Sequence, residues 1–171
     1  MRSPIPLKKR KSDYIYLSFF VLNLSFITYV VDIEQIVIFN PAQFNYPIWP
    51  LPFLVDMVHW WGSNFDPLQW ARPVWWKATI WLDVVFFGPY YAFAIFAFIR
   101  GKDWIRIPTI IYSTMLFTNV FIIMSEEYWG PYATHSPLIV TLANAPWCLF
   151  PVFLILKMWK HEHPFTVESY D

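Results

Sequence analysis

The stretch 14-YIYLSFFVLNLSFITYVVDIEQIVI-38 decides the fold, because only two of its 25 residues are charged. A helix rises ~1.5 Å per residue and needs ~20 apolar residues to cross the ~30 Å hydrocarbon core of a bilayer. The two charged residues, Asp32 and Glu34, lie near the C-terminal end of the stretch. The stretch therefore predicts a transmembrane helix that carries a carboxylate within the membrane.

The rest of the chain has the same apolar character. Of its 171 residues, 57% are hydrophobic and 22% aromatic, whereas only 14% are charged. This composition is typical of a polytopic membrane protein and excludes an ordinary soluble domain. The sequence predicts an all-α fold, a bundle of four transmembrane helices within a membrane domain over residues 14–158. The predicted spans are residues 14–38, 75–99, 108–125 and 138–158.

Basic residues are distributed unevenly around these spans. Ten of the twelve Lys and Arg residues lie before the first span, between the second and third, or at the end of the fourth. Because cytoplasmic segments are enriched in Lys and Arg, residues 1–13 and 159–171 are predicted to be cytoplasmic tails. The polar residues 161–171 are expected to be flexible. The segment 39–73, rich in proline and aromatic residues, is predicted to form a lumenal cap. Within it, 51-LPFLVDMVHWW-61 is interpreted as a short interfacial helix or a re-entrant cap.

Residue types argue against several kinds of site. The single cysteine, Cys148, lies inside the fourth span, so neither a disulfide framework nor a thiolate metal site is expected. Two tail histidines, His161 and His163, are too few to form a metal site. No cofactor and no metal are therefore expected. The run 8-KKRK-11 is interpreted as a flank that orients the first helix, not as a nucleic-acid-binding patch.

Each predicted span carries a polar side chain at a similar depth. At ~1.5 Å per residue, Asp32, Asp83, Asn119 and Asn144 lie ~9–12 Å from the lumenal ends of their helices. An intramembrane carboxylate costs ~3 kcal/mol, so both aspartates are expected to face the bundle interior. Two carboxyl groups at one depth would share a proton. A pocket with one negative charge would suit a cation or a hydroxyl group; the alternative is that the aspartates only hydrogen-bond helices together.

Helical spacing extends this polar layer. Three pairs are three or four residues apart and are predicted to share a helix face: Thr28 with Asp32, Thr79 with Asp83, and Asn144 with Trp147. Asp66, in 65-FDPLQW-70, is interpreted mainly as a structural cap, because Asp-Pro favours the start of a turn. The acidic residues 126–127 are predicted to be solvated at the membrane surface.

Five stretches resemble one known family. They are 31-VDIEQIV-37, 66-DPLQ-69, 74-VWWKATIWLDVVF-86, 100-RGKDWIRIPTIIYS-113 and 145-APWCLFP-151. Together they resemble the sigma-2 receptor branch of the emopamil-binding protein, or EXPERA, superfamily, which includes the fungal efficient mitochondria targeting-associated proteins. These are small four-helix proteins of the endoplasmic reticulum membrane. The similarity extends over about residues 12–160.

The resemblance implies a ligand and a site. Asp32 matches a carboxylate that pairs with a ligand amine, Asp83 an acidic neighbour that is usually Glu, and Asp66 a third acidic position. The implied ligand is a sterol or a cationic amphiphile taken from the lipid bilayer, with no nucleic acid involved. A membrane-protein partner or a homodimer is considered as well. Further ligand contacts are expected from Thr28, Phe86, Tyr90, Asn119, Asn144 and Trp147.

The resemblance also implies a role and an alternative to it. The implied role is sterol or lipid handling, or quality control of mitochondrial precursors at the endoplasmic reticulum. The alternative is the sister branch, the sterol Δ8-Δ7 isomerases, whose reaction needs an acid–base pair of His and Glu four residues apart in the first helix. Here Thr28 occupies the position of the His, and its hydroxyl does not titrate near neutral pH. We therefore expect a binding protein and not an enzyme, although 144-NAPW-147 resembles the isomerase fourth helix.

Overall fold

Four long apolar helices account for most of the chain in the computed structural model, which describes residues 2–168. Within these residues, four helices are long and apolar enough to cross a membrane, which confirms the predicted all-α polytopic fold. In chain order the elements are β1 (Arg2–Pro4), α1 (Asp13–Val37), α2 (Pro52–Asn64), α3 (Pro67–Ala71), α4 (Val74–Arg100), α5 (Arg106–Trp129), α6 (Pro137–Lys160) and β2 (Thr166–Glu168).

Two of the long helices contain a π-helical stretch. α1 is π-helical over Asn23–Asp32 and α4 over Asp83–Phe87, with α-helical geometry on both sides. The two stretches pack against each other. Gly88 permits this close approach, because a Cβ atom there would lie only 3.0 Å from Cγ2 of Thr28. π-Helical turns are rare and often mark functional sites, and each of these two stretches contains one of the intramembrane aspartates.

The packed core occupies one half of the bundle. It is built from the N-terminal halves of α1 and α5 and the C-terminal halves of α4 and α6. Burial of a large apolar side chain stabilises a fold by ~1.5–3 kcal/mol, so the aromatic residues make this half the rigid part of the bundle. The largest fully buried aromatic side chains are Phe20, Phe87, Tyr91, Phe98, Tyr112 and Phe165.

Both ends of the chain meet beside this core. Strand β1 pairs with β2 in antiparallel register, so that Arg2 lies opposite Glu168. The prediction of a flexible C-terminal tail is therefore wrong for residues 161–168, while residues 169–171 lie outside the described part of the chain. The pairing was missed because each strand has only three residues, too few for a sequence pattern.

A buried ionic cluster holds the paired ends onto the helices. Asp13 is fully buried and forms ion pairs with both Arg10 and Lys157. The ring of Phe165 lies 5.0 Å from the guanidinium carbon of Arg10 and 5.4 Å from Nζ of Lys157. We call these four residues, together with β1 and β2, the terminal clasp. It joins the N-tail, α6 and the C-terminal strand.

The cap, residues 39–73, covers the opposite end of the bundle. It contains α2 and α3, which begin at Pro52 and Pro67. Proline is common at the first position of a helix, because the backbone N–H that it lacks would have no hydrogen-bond partner there. Asp66 precedes α3, and its Oδ1 accepts a hydrogen bond from the backbone N–H of Gln69 at 2.7 Å. The prediction that Asp66 caps a turn is confirmed.

Candidate functional site

A cavity of about 430 Å³ lies between the cap and the cap-side halves of the four long helices. This volume falls within the range of ~300–1,000 Å³ that is usual for small-molecule sites. Most of the wall is apolar, and a few polar groups are placed within it. The aromatic residues of the wall are Phe26, Trp60, Trp61, Trp76 and Trp147.

Asp32 faces this cavity with an unsatisfied carboxyl group. The residue ends the π-helical stretch of α1 and is 4% exposed. Its Oδ2 atom is buried, and no group in residues 2–168 forms a hydrogen bond with it. Because a buried polar atom without a partner is costly, Asp32 favours a ligand that supplies a cation or a hydrogen-bond donor.

Asp83 lines the same cavity from α4 and is close enough for its charge to act on Asp32. Oγ1 of Thr28 donates a long hydrogen bond of 3.4 Å to Oδ1 of Asp83. Two neighbouring buried carboxyl groups share a proton, since like charges at close range cannot both be stabilised. The pair can therefore present a single negative charge to a ligand.

Two asparagines and a tryptophan complete the predicted polar layer. Asn119 of α5 and both Asn144 and Trp147 of α6 line the cavity. Nε1 of Trp147 donates a hydrogen bond of 2.7 Å to Oδ1 of Asn23, a fully buried residue of α1. This bond fixes the indole ring against α1, so Trp147 is a rigid part of the wall.

Three of the predicted contact residues do not line the cavity. Thr28 is fully buried behind Asp83, so it does not share the cavity-facing surface of Asp32. Tyr90 lies in the core, where its hydroxyl donates a hydrogen bond of 3.0 Å to Oγ1 of Thr109. Phe86 is 43% exposed on the outside of the bundle. Thr28 was placed by α-helical periodicity, whereas the stretch that contains it is π-helical and has more residues per turn.

The cap contributes residues that sequence reasoning did not assign to the site. Met57, Trp60, Trp61 and Gln69 form part of the cavity wall together with Asp66. The cap is therefore one wall of the cavity as well as a cover for the helix ends. Its apolar helix pattern was visible in the sequence, but the direction in which that helix faces was not.

Gln35 was also missed, although it lies only three residues beyond Asp32. Its Oε1 atom accepts a hydrogen bond of 2.6 Å from Nε1 of Trp76, and both residues line the cavity. This bond joins α1 to α4 directly beside the two aspartates. The relevant signal was present in the sequence, since a buried glutamine in a span needs a partner and marks an inward face.

A buried ion pair holds the cap to α1. Both carboxyl oxygens of Glu34 accept hydrogen bonds from Nη2 of Arg72, at 2.7 and 3.0 Å, and Oε1 lies 2.7 Å from Nε2 of His59. Nη1 of Arg72 donates a further bond of 2.5 Å to the carbonyl of Ile38. Burial lowers the pKa of the Arg72 guanidinium, and Glu34 opposes that shift. We call Glu34, His59 and Arg72 the cap lock.

No group of three or more His, Cys, Asp or Glu side chains in residues 2–168 is arranged to hold a metal ion. The cavity combines an apolar body, aromatic faces and a carboxyl pair that forms no ion pair found among the described residues. These features fit a ligand with an apolar framework and a single ammonium or hydroxyl group.

Comparisons with known proteins agree with one another. A sequence model of EBP, described as EXPERA (EXPanded EBP superfamily), matches residues 53–158, which begin in α2 and end in α6. "Sigma intracellular receptor 2" of Homo sapiens is 29% identical over 169 residues, which cover 91% of each chain. The protein of that name from Macaca fascicularis is 27% identical over 170 residues, covering 91% of this chain and 92% of its own. That of Xenopus tropicalis is 29% identical over 160 residues, covering 87% and 88%.

Proposed function

Because the chain belongs to the EXPERA superfamily, we propose that its cavity binds a sterol or a lipophilic amine and does not convert it. The predicted resemblance to this superfamily and to its sigma-2 receptor branch is confirmed. The observation that carries the proposal is the carboxyl group of Asp32, a residue that lines the apolar cavity and whose buried Oδ2 has no hydrogen-bond partner among the described residues.

The cavity suits the two ligand classes in different ways. An ammonium group beside Asp32 would form a poorly hydrated ion pair, which is stronger than an exposed pair worth ~0–1 kcal/mol. A sterol hydroxyl would donate a hydrogen bond to the same carboxyl group. In both cases the apolar framework packs on the aromatic wall, including Trp76 and Trp147. Asp83 supports Asp32 by holding the shared proton.

The experiment that tests this function is lipid analysis of the purified protein. Wild type and Asp32→Asn are purified in parallel, and the sterols and amines that accompany each are identified by mass spectrometry. We expect a sterol or amine to be enriched with wild type and depleted from Asp32→Asn. Equal lipid content in both proteins would contradict a binding role for the cavity.

The absence of isomerase activity is a separate expectation. In the isomerase pattern, an acid–base His occupies the position of Thr28, and here a hydroxyl donates to Asp83 instead. The protein should therefore fail to restore growth of a strain that lacks sterol Δ8-Δ7 isomerase, while a control isomerase succeeds. Restored growth would show that the two aspartates alone suffice for the proton transfers. Gain of activity in Thr28→His would indicate a shared ancestral pocket.

We infer that the protein works in the endoplasmic reticulum membrane with both termini in the cytoplasm. The basic residues support this orientation, and so does the terminal clasp, which requires both ends to lie on one side. We further propose that the cavity serves sterol or lipid handling, or quality control of mitochondrial precursors, roles that the resemblance to the sigma-2 receptor branch implies. Redox-sensitive tags at the two termini test the orientation, and a lumenal signal from either would refute it.

A further inference from the structure

An apolar groove lies between the start of α1 and the middle of α6. It encloses about 290 Å³ and shares no lining residue with the cavity beside Asp32. Aromatic contacts join the two helices here, because the ring of Phe150 lies 6.1 Å from that of Tyr16 and stacks on that of Phe19 at 4.3 Å. The residues that line the groove are Ser12, Ile15, Tyr16, Leu149, Phe150 and Phe153.

The groove runs into the membrane from the end of the bundle that carries the terminal clasp. Lys157 forms an ion pair with Asp13, so these two residues mark one level of α6 and α1. At ~1.5 Å per residue, Leu149 lies ~12 Å deeper along α6 than Lys157. Half of the ~30 Å hydrocarbon core is ~15 Å. The groove therefore has the length and the apolar wall to hold an acyl chain of the adjacent leaflet.

The run 8-KKRK-11 places positive charge at the outer end of the groove. Arg10 turns inward and belongs to the terminal clasp. The other three members of the run are exposed, and no ion pair found in residues 2–168 includes them: Lys8, Lys9 and Lys11. Lys11 directly precedes Ser12 of the groove, and the other two lysines belong to the short 3-10 turn before it. An apolar groove therefore meets a group of exposed cations.

Ser12 adds a hydrogen-bond donor at the same place. It is the N-cap residue of α1, it is exposed, and its hydroxyl forms no capping hydrogen bond. A phosphate oxygen could accept a hydrogen bond from this hydroxyl, and the positive end of the α1 dipole would favour the anion. Ser12 lies at the junction between the apolar wall and the lysines.

We propose that this groove binds an anionic phospholipid. One acyl chain lies between Ile15 and Phe153, and the phosphate lies at Ser12 and the three lysines. Basic segments beside a membrane attract anionic lipids, and the groove turns this attraction into a defined site. The site is separate from the cavity and goes beyond the proposed function. It agrees with the inferred orientation, because anionic lipids are concentrated in the cytoplasmic leaflet.

The experiment measures binding of single lipid molecules to the purified full chain by native mass spectrometry. Palmitoyl-oleoyl-phosphatidylglycerol is compared with phosphatidylcholine that has the same acyl chains, so that the headgroup alone differs. The charge variant combines Lys8→Gln, Lys9→Gln and Lys11→Gln. Its matched control removes three exposed cations from other positions near the clasp end of the bundle, Arg100→Gln, Lys102→Gln and Lys160→Gln.

A second pair of variants tests the groove itself. Leu149→Trp puts a larger ring into the groove, at a residue that is exposed and therefore tolerant of the change. Leu142→Trp is the matched control, because Leu142 is an exposed leucine of the same helix that lines neither the groove nor the cavity.

We expect the wild type to bind phosphatidylglycerol at least about tenfold more tightly than phosphatidylcholine, and the charge variant to reduce this preference to about twofold or less. The charge control should keep the preference. Leu149→Trp should weaken phosphatidylglycerol binding about fivefold, and Leu142→Trp should change it by less than about twofold. No preference in the wild type, or equal losses in the two charge variants, would overturn the site. Unchanged binding in Leu149→Trp would overturn it as well.

Discussion

Replacing Asp32 with Asn should weaken binding of a cationic amphiphile at least tenfold, which corresponds to about 1.4 kcal/mol. The substitution keeps the side-chain shape and removes the charge that an ammonium group would meet in the apolar cavity. A neutral sterol, held mainly by contacts with aromatic residues such as Trp147, should lose less. The difference between the two ligands therefore measures the electrostatic part of binding.

The measurement is radioligand or thermal-shift binding at matched expression. Asp56→Asn is the control, because Asp56 is an exposed carboxylate of the cap that accepts a hydrogen bond from Tyr46 outside the cavity. Asp83→Asn can still donate a hydrogen bond to Asp32, so it should be milder than Asp83→Leu. If amine affinity stayed at the wild-type level in Asp32→Asn, the carboxylate would serve only to bond the helices together.

The second large effect concerns the cap lock. Arg72→Met should lower the free energy of unfolding by about 3 kcal/mol, because it leaves the buried carboxylate of Glu34 with His59 as its remaining ionic partner. The double variant Glu34→Leu with Arg72→Met also removes the Glu34 carboxylate, so no unpaired charge remains buried. The double variant should therefore be more stable than Arg72→Met alone.

Thermal unfolding in lipid nanodiscs measures these changes, and hydrogen exchange of α2 and α3 shows whether they are confined to the cap. Lys77→Met is the matched control, because Nζ of Lys77 lies 5.2 Å from the ring of Phe39 and no ion pair found in residues 2–168 includes it. If Arg72→Met lowered the free energy of unfolding by less than about 1 kcal/mol, the Glu34–Arg72 pair would contribute no more than an exposed salt bridge does. The cap would then be held mainly by its apolar contacts.

The four spans and the polar layer could be predicted from the sequence, because both depend on local properties. Span length and hydropathy follow from consecutive residues, and the rise per residue sets the depth of Asp32, Asp83, Asn119 and Asn144 once the spans are known. All four of these residues reach one cavity. The role of Asp66 as a cap could be predicted for the same reason, because the turn preference of Asp-Pro depends only on neighbouring residues.

Other features depend on contacts between distant parts of the chain. Glu34 and Arg72 are 38 residues apart, and neither residue alone indicates the other. The π-helical stretches lie where α1 and α4 pack closely, and no local sequence pattern indicated them. Glu127 was assigned to solvent because it ends a hydrophobic run; that prediction is wrong, since the side chain is 1% exposed.

The terminal clasp has a consequence for how the protein is made. Translation proceeds from the N-terminus, so Arg10 and Asp13 leave the ribosome long before Lys157 and Phe165, the residues they must meet. The clasp joins residues that are far apart in the sequence, so its formation carries the entropy cost of closing a long loop. It cannot form before Phe165 has been synthesised, because that ring lies against both Arg10 and Lys157. Formation of the clasp is therefore a late step in folding, after all four long helices have been made.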